Sequence, residues 1–353
     1  MRKDKIRHLG SSLLITFISI FLAFFIGAII ILCLGENPLA AYAALFKGAF
    51  GNPIAATVSL TKAVPLILTG LAVAVAMKCR VFNIGAEGQL LVGAMAAGYI
   101  GFTYELPAPF HIIACLLASV IAGMLWAFIA AILKYTRNVH VVISTIMLNY
   151  IATSLISYFI NGPLKEVNAT GSMTPMITST AKLPLLLQKP LSLNAGFIIA
   201  LVMIFLISFL LNKTTIGYEM RAVGQNSSAS NVAGINVQKN MFLALLISGG
   251  LAGLAGGIEV TGSIYRVVEG FSSGYGFNGI PVSLMSYGNP FGIFFSALLL
   301  GAMRNGALTM QIQVGISQDI VEIIQGLVII FIACQYFISY YVKKLSKGGM
   351  ANA

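Results

Sequence analysis

Three polar side chains, Asn83, Glu87 and Gln89, crowd the octapeptide Phe82-Asn83-Ile84-Gly85-Ala86-Glu87-Gly88-Gln89, which opens a long apolar run. An ionisable group inside a bilayer is costly and normally faces a cavity or a polar partner. Asn83 and Glu87 are four residues apart and share a face if the segment is helical. The pattern offers amide and carboxylate hydrogen bonding to a passing solute, a proton site at Glu87, or support for a broken helix. The plainer reading puts Glu87 at the membrane boundary, paired with Lys78 or Arg80. Phe277-Asn278-Gly279-Ile280 echoes Phe82-Asn83-Ile84-Gly85 in the second half of the chain. Paired Gly-interrupted apolar segments in two halves point to a midplane binding site.

Other chemistries find no support. The histidines, His8, His111 and His140, are scattered, and no catalytic constellation is expected. The dipeptide Gly-Lys does not occur, so the phosphate-cradling loop of P-loop ATPases is missing. Cys33, Cys79, Cys115 and Cys334 lack paired spacing and read as small apolar side chains rather than as a disulfide framework or a metal site. No cofactor is expected.

The elements that must position these residues follow from composition. Of 353 residues 58% are apolar and 9% charged, and the mean hydropathy is +0.93. A soluble domain carries roughly 25% charged residues, and disordered chains are polar and highly charged. Both classes are excluded, and the chain reads as an all-α polytopic membrane protein with one transmembrane domain over residues 1–353. About ten spans are expected, some short or broken: Ser12–Leu34, Thr57–Met77, Ile84–Thr103, His111–Leu133, Val139–Ile160, Ala195–Leu211, Met241–Val260, Phe277–Tyr287, Phe291–Met310 and Ile320–Tyr341. The first is too long for the apolar core of a signal peptide and reads as a retained helix. Ala40–Phe50 is an amphipathic stretch for the outer surface or a loop. Gly249, Gly253 and Gly257 form a small-residue stripe for close helix contact.

The net charge of +11 comes from 21 Lys+Arg against 10 Asp+Glu. These cations lie mostly between apolar spans, so a nucleic-acid partner is not indicated. With the N-terminus inside, one face takes 14 of the 21 cations and the other 7, which by the positive-inside rule puts both termini in the cytoplasm. The loop at 162–194 is then external. The loop at 213–240 is cytoplasmic, with Asn226 as a cap, Ser227–Ala233 as a short helix and Gly234 as its terminator.

Together Phe82–Gln89, Val142-Ile-Ser-Thr-Ile-Met-Leu-Asn-Tyr150, Arg221-Ala-Val-Gly-Gln-Asn226 leading to Ala233-Gly-Ile235, and Gly274-Tyr-Gly-Phe-Asn-Gly-Ile-Pro-Val282 with Gly288-Asn-Pro290 resemble the permease subunits of bacterial ABC importers. They resemble most the branch serving nucleosides and simple sugars, related to branched-chain amino acid permeases. Asn278-Gly279 departs from that branch, which often has an acidic residue and Ala there. The resemblance implies a multi-pass protein of the bacterial cytoplasmic membrane. Its partners would be an ABC ATPase subunit, a second permease subunit of a different chain and a substrate-binding lipoprotein. It implies a nucleoside path lined by Phe82, Asn83, Glu87, Gln89, Asn149, Phe277, Asn278 and Tyr287. It also implies a coupling helix that docks on the ATPase, with Glu219, Arg221, Gly224, Asn226, Ala229, Ala233 and Gly234 at the contact. The alternatives are a ribose-like sugar as substrate, or an ion-coupled secondary transporter using Glu87.

Overall fold

The computed structural model describes residues 2–167, 170–187 and 190–333. The expected end of the last helix at Tyr341, Cys334, Lys189 and the terminal cations Lys343, Lys344 and Lys347 lie outside the described residues. Thirteen α-helices and no strand longer than an isolated bridge occur among the described residues: α1 Arg2–Cys33, α2 Pro38–Phe50, α3 Pro53–Met77, α4 Ala86–Thr103, α5 Ala108–Arg137, α6 Val141–Asn161, α7 Gly196–Lys213, α8 Thr215–Gln225, α9 Ser227–Val232, α10 Val237–Glu259, α11 Tyr275–Met285, α12 Pro290–Val314 and α13 Gln318–Ala333. Six of these regions, Pro53–Met77, Ala108–Arg137, Val141–Asn161, Gly196–Lys213, Val237–Ile264 and Pro290–Val314, are long and apolar enough to cross a membrane. At about 1.5 Å per residue, 11-residue α11 reaches about half of a roughly 30 Å hydrocarbon core.

The chain divides into two compact units, residues 1–55 with 302–353, and residues 56–301. In the first, α1 packs on α13 and α2. The stretch Ala40–Phe50 is indeed helical: Asn37 accepts from the amides of Leu39 and Ala40, and Pro38 starts α2 where its missing N–H costs nothing. Asn305 fastens α12 to α2 and to the start of α3 by donating to the carbonyls of Gly48 and Ala55 at 2.9 and 3.0 Å.

In the second unit α3, α4 and α10 form the interior and are buried nearly all round. The glycines of α10 make this possible. A Cβ on Gly253 would meet the Gly123 Cα of α5 at 3.0 Å, so only small residues allow such an approach. The exposed faces of α5 and α7 are apolar throughout, with Ile113, Leu117, Ile121 and Leu125 on one and Ile198, Val202, Leu206 and Phe209 on the other. The loop at 162–194 carries one 3-10 turn and folds back over the bundle. Its amides at Thr174, Ile177 and Leu183 donate to the carbonyls of Val267, Tyr265 and Thr261. His111 is buried here between the Thr180 hydroxyl and the Ile100 carbonyl, a packing role consistent with its lack of metal neighbours among the described residues.

Candidate functional site

The polar octapeptide is a turn followed by the first residues of α4. Residues 81–84 have no regular structure, Gly85 is in a turn, and the helix begins at Ala86. This start leaves backbone amides without helical partners, and side chains from distant elements supply them. Asn83 is fully buried. Its amide donates to Ser248 Oγ of α10 at 2.8 Å and to Gln89 Oε1 at 2.9 Å, and its Oδ1 accepts from the Gly85 amide at 2.9 Å. Asn149 of α6 takes the Gly88 amide at 2.9 Å and returns a bond to the Ile84 carbonyl at 2.9 Å. Asn83, Gln89 and Asn149 therefore spend their hydrogen-bonding groups inside the protein, as buried polar groups generally must.

Glu87 reaches elsewhere. Its Oε2 accepts from the Gly276 amide of α11 at 2.7 Å, and the residue is 7% exposed. Gly276 is the second residue of α11, where an amide has no helical acceptor. The carboxylate thus sits by two helix N-termini, that of α4 and that of α11, where partial positive charge favours it. No side chain fits at Gly276, since a Cβ would stand 2.6 Å from the Ala86 carbonyl carbon. On the far side of α11 the Thr69 hydroxyl reaches the Pro65 and Tyr275 carbonyls at 2.9 and 3.1 Å. The two echoed tetrapeptides are not equivalent in conformation. Asn83 lies in irregular backbone ahead of α4 and is enclosed, whereas Asn278 lies within the first turn of α11 and is half-buried beside exposed Phe277. Phe82 is half-buried, and Tyr287 is exposed at a φ of 54° just after α11.

The loop at 213–240 contains two helices rather than one. α8 is an amphipathic helix ahead of the expected short helix, and it carries Glu219, Arg221 and Gly224. Its N-cap Thr214 accepts from the Gly217 amide. Asn226 caps α9 by accepting from the Ala229 amide at 3.0 Å. α9 ends at Val232, and Gly234 at a φ of +82° closes it, with the Ile235 amide donating back to Ser230. Ala229, Ala233 and Gly234 are all exposed.

α8 is clamped to the turn that leads into the octapeptide. Gly224 lies against the Lys78 carbonyl with no room for a Cβ. Cys79 Sγ donates within 3.6 Å of the Met220 and Asn240 carbonyls, and burial pushes its thiol up to about 12. Glu219 accepts from Asn240 of α10 at 2.9 Å. Lys78 binds its proton less tightly than usual, first because it is buried and second because Arg221 is nearby. A run of contacts thus connects α8 to Lys78–Val81, on to Asn83, and through α4 to Glu87 and α11.

Residues 55–333 match the family described as "Branched-chain amino acid transport system / permease component". The chain belongs to this permease family. The permease is 40% identical over 343 residues, 96% of its length and 98% of the relative's, to the guanosine ABC transporter permease protein of Bacillus subtilis strain 168. It is 34% identical to the nucleoside ABC transporter permease protein of Lactococcus lactis subsp. cremoris, covering 94% of this chain and 93% of that one. It is 31% identical to the glucose ABC transporter permease protein of Haloferax volcanii, over 92% and 88%. No solved structure matches. The permease is therefore a multi-pass membrane transport component, not an enzyme. Gly270-Phe271-Ser272-Ser273-Gly274 has the spacing of a hydrolase nucleophile elbow, but here it precedes α11 without the strand that builds such an elbow, and Ser272 is buried.

One face of the permease went unnoticed in the sequence. On α6 the residues Met147, Tyr150, Ser154 and Tyr158 form an exposed stripe opposite the buried Thr145, Asn149, Ala152 and Ile156. It carries two aromatic hydroxyls, those of Tyr150 and Tyr158. Tyr150 is 69% exposed and lies ten residues into a 21-residue span, where a hydroxyl facing lipid would lack a partner. The available signal was a period-3.6 polar stripe in an otherwise apolar segment.

Proposed function

We propose that the chain is the membrane-spanning permease subunit of an ABC importer and forms the translocation path for nucleosides. ATP hydrolysis takes place on a separate ATPase subunit, and a second permease subunit and a substrate-binding lipoprotein complete the importer in the bacterial cytoplasmic membrane. The observation that carries the ATP-driven reading is the contact run from α8 through Lys78–Val81 to Asn83 and Glu87. It ties the exposed helix pair α8–α9, the docking element, to the start of two short or interrupted helices.

In this reading Glu219, Arg221, Gly224, Asn226, Ala229, Ala233 and Gly234 shape the docking element. Asn83, Gln89 and Asn149 are positioning residues that make the head of α4 rigid, so that a push on α8 is transmitted rather than absorbed. Glu87 links that head to α11. Phe82, Phe277, Asn278 and Tyr287, with Tyr150 and Ser154 of α6, face the path. A nucleoside is neutral, with an aromatic base and ribose hydroxyls, and it calls for rings and hydrogen-bonding groups rather than fixed charges. The guanosine and nucleoside relatives support this substrate class. The 31% identical glucose relative supports a sugar as the second reading.

The test is reconstitution in vesicles. With its ATPase, second permease and binding protein, the chain should take up labelled nucleoside only with ATP, and vanadate should stop uptake. Uptake by this chain alone, driven by a proton gradient, would overturn the ABC reading in favour of a Glu87-dependent carrier. ATP-dependent uptake of ribose or glucose without nucleoside uptake would overturn the substrate.

A further inference from the structure

A cavity of mixed chemistry lies between the end of α5 and the start of α10. It measures about 230 Å³ and is lined by Ala131, Lys134 and Tyr135 of α5, and by Gln238, Phe242 and Leu245 of α10, among others. Its origin is the glycine contact further along the same helices. At Gly123 a Cβ would meet the Gly253 Cα at 2.7 Å, so the backbones touch there. Roughly two turns on, at Ala131 and Leu245, the side chains are larger and leave a wedge. The wedge is apolar inside and basic at its mouth. Phe242 stacks edge-on to Phe128 and Tyr135 at 5.7 and 6.3 Å, and Phe128 and Tyr135 are exposed.

Lys134 is the cation that lines the mouth, with Arg137 in the last turn of α5 and Lys239 next to Gln238 in α10, and Glu219, the carboxylate nearest to the start of α10 in sequence, is engaged by Asn240. Lys134 is half-exposed and donates to Asn138 Oδ1 at 2.7 Å, while Arg137 and Lys239 are exposed. No Asp or Glu occurs between residues 106 and 165 or between 220 and 258, so the segments that form the wedge contain no carboxylate. Cations in a last helical turn can serve only the helix dipole, but that role requires no apolar wedge beside them. An apolar slot with a basic mouth at a membrane face has the shape and charge of a phospholipid site.

We propose that this wedge binds an anionic phospholipid. Lys134, Arg137 and Lys239 hold the headgroup phosphate, and an acyl chain lies along Ala131, Phe242 and Leu245. Val237 and Gln238 also line the larger open groove beside α9, with Ser227, Ser228 and Asn231. A bound lipid would therefore steady the start of α10 that carries the docking element. The placement of this end at the cytoplasmic leaflet rests on the orientation proposed above.

The test uses the purified full-length chain alone, so its result is independent of substrate and ATPase. Phosphatidylglycerol and phosphatidylcholine are titrated separately, and retained lipid is counted by native mass spectrometry. The wild type should retain phosphatidylglycerol and not phosphatidylcholine. The Lys134→Gln, Arg137→Gln, Lys239→Gln triple variant should bind phosphatidylglycerol on the order of 100-fold more weakly. Gln238→Trp, which fills the mouth and leaves every charge in place, should also lose the lipid. Equal retention of both lipids by the wild type, or undiminished phosphatidylglycerol binding in both variants, would overturn the proposal.

Discussion

At the scale of single residues, the side chains with the most conspicuous chemistry are not equivalent. Asn83 is enclosed with all its bonds inside the protein, so Asn83→Leu should act on stability. It strands Ser248 Oγ, Gln89 and the Gly85 amide, at about 1–3 kcal/mol for each group left unpaired. The expected outcome is a lower melting temperature of the purified chain, with relative uptake of different nucleosides unchanged among molecules that remain folded; altered selectivity at normal stability would put Asn83 in the path. Glu87→Gln keeps an oxygen for the Gly276 amide and should retain substantial uptake, whereas Glu87→Ala loses a charge-assisted bond of about 1.5–3 kcal/mol and should not. Abolition of uptake by Gln as well would indicate proton coupling. Tyr150→Ala should leave stability and ATPase association intact and slow nucleoside uptake roughly 5- to 150-fold, since stacking of a base on an aromatic ring is worth about 1–3 kcal/mol, and Tyr150→Phe should preserve most of the rate. An unaltered initial rate in Tyr150→Ala would make the α6 stripe a lipid or subunit contact instead.

At the scale of elements, α8 and α9 divide the coupling task. α9 is exposed and short, held by the Asn226 cap and the positive φ of Gly234. Gly234→Val forces a β-branched residue into that conformation, and Ala229→Trp enlarges the exposed face. Both should insert normally yet fail to pull down the ATPase. Gly224→Val should behave differently, because its side chain would collide with the Lys78 backbone inside the permease. It should retain ATPase binding but lose uptake, the signature of a broken link rather than a lost dock. Loss of binding in Gly224→Val with normal binding in the other two would reverse the assignment.

At the scale of the whole molecule, the 14-to-7 distribution of cations argues for both termini inside. Two exposed positions, Val167 in the 162–194 loop at 96% and Val232 at the end of α9 at 91%, would report on opposite faces in that orientation. In a background with Cys33 replaced by Ser, Val167→Cys should react with an impermeant maleimide in intact cells. Val232→Cys should react only in inverted vesicles. Labelling of both from the same side would refute the orientation.

What was legible in the sequence is what sums along it. Membrane class, most span positions, the α9 cap at Asn226 and the Gly234 terminator all depend on residues within a turn or two of one another, where hydropathy, charge and backbone preference act locally. α8 was legible in principle, because Gly217, Met220 and Val223 recur at helical spacing, but the polar and charged residues between them read as loop. The partners of the polar residues were beyond reach: Glu87 meets Gly276 across 189 positions, and Asn83 meets Ser248 across 165. Sequence determined that these groups could not face hydrocarbon unpaired; only the tertiary structure decided whether each found its partner in another helix, as Asn83 did, or was left open, as Tyr150 was, because burial is a property of the packed chain and not of the residue.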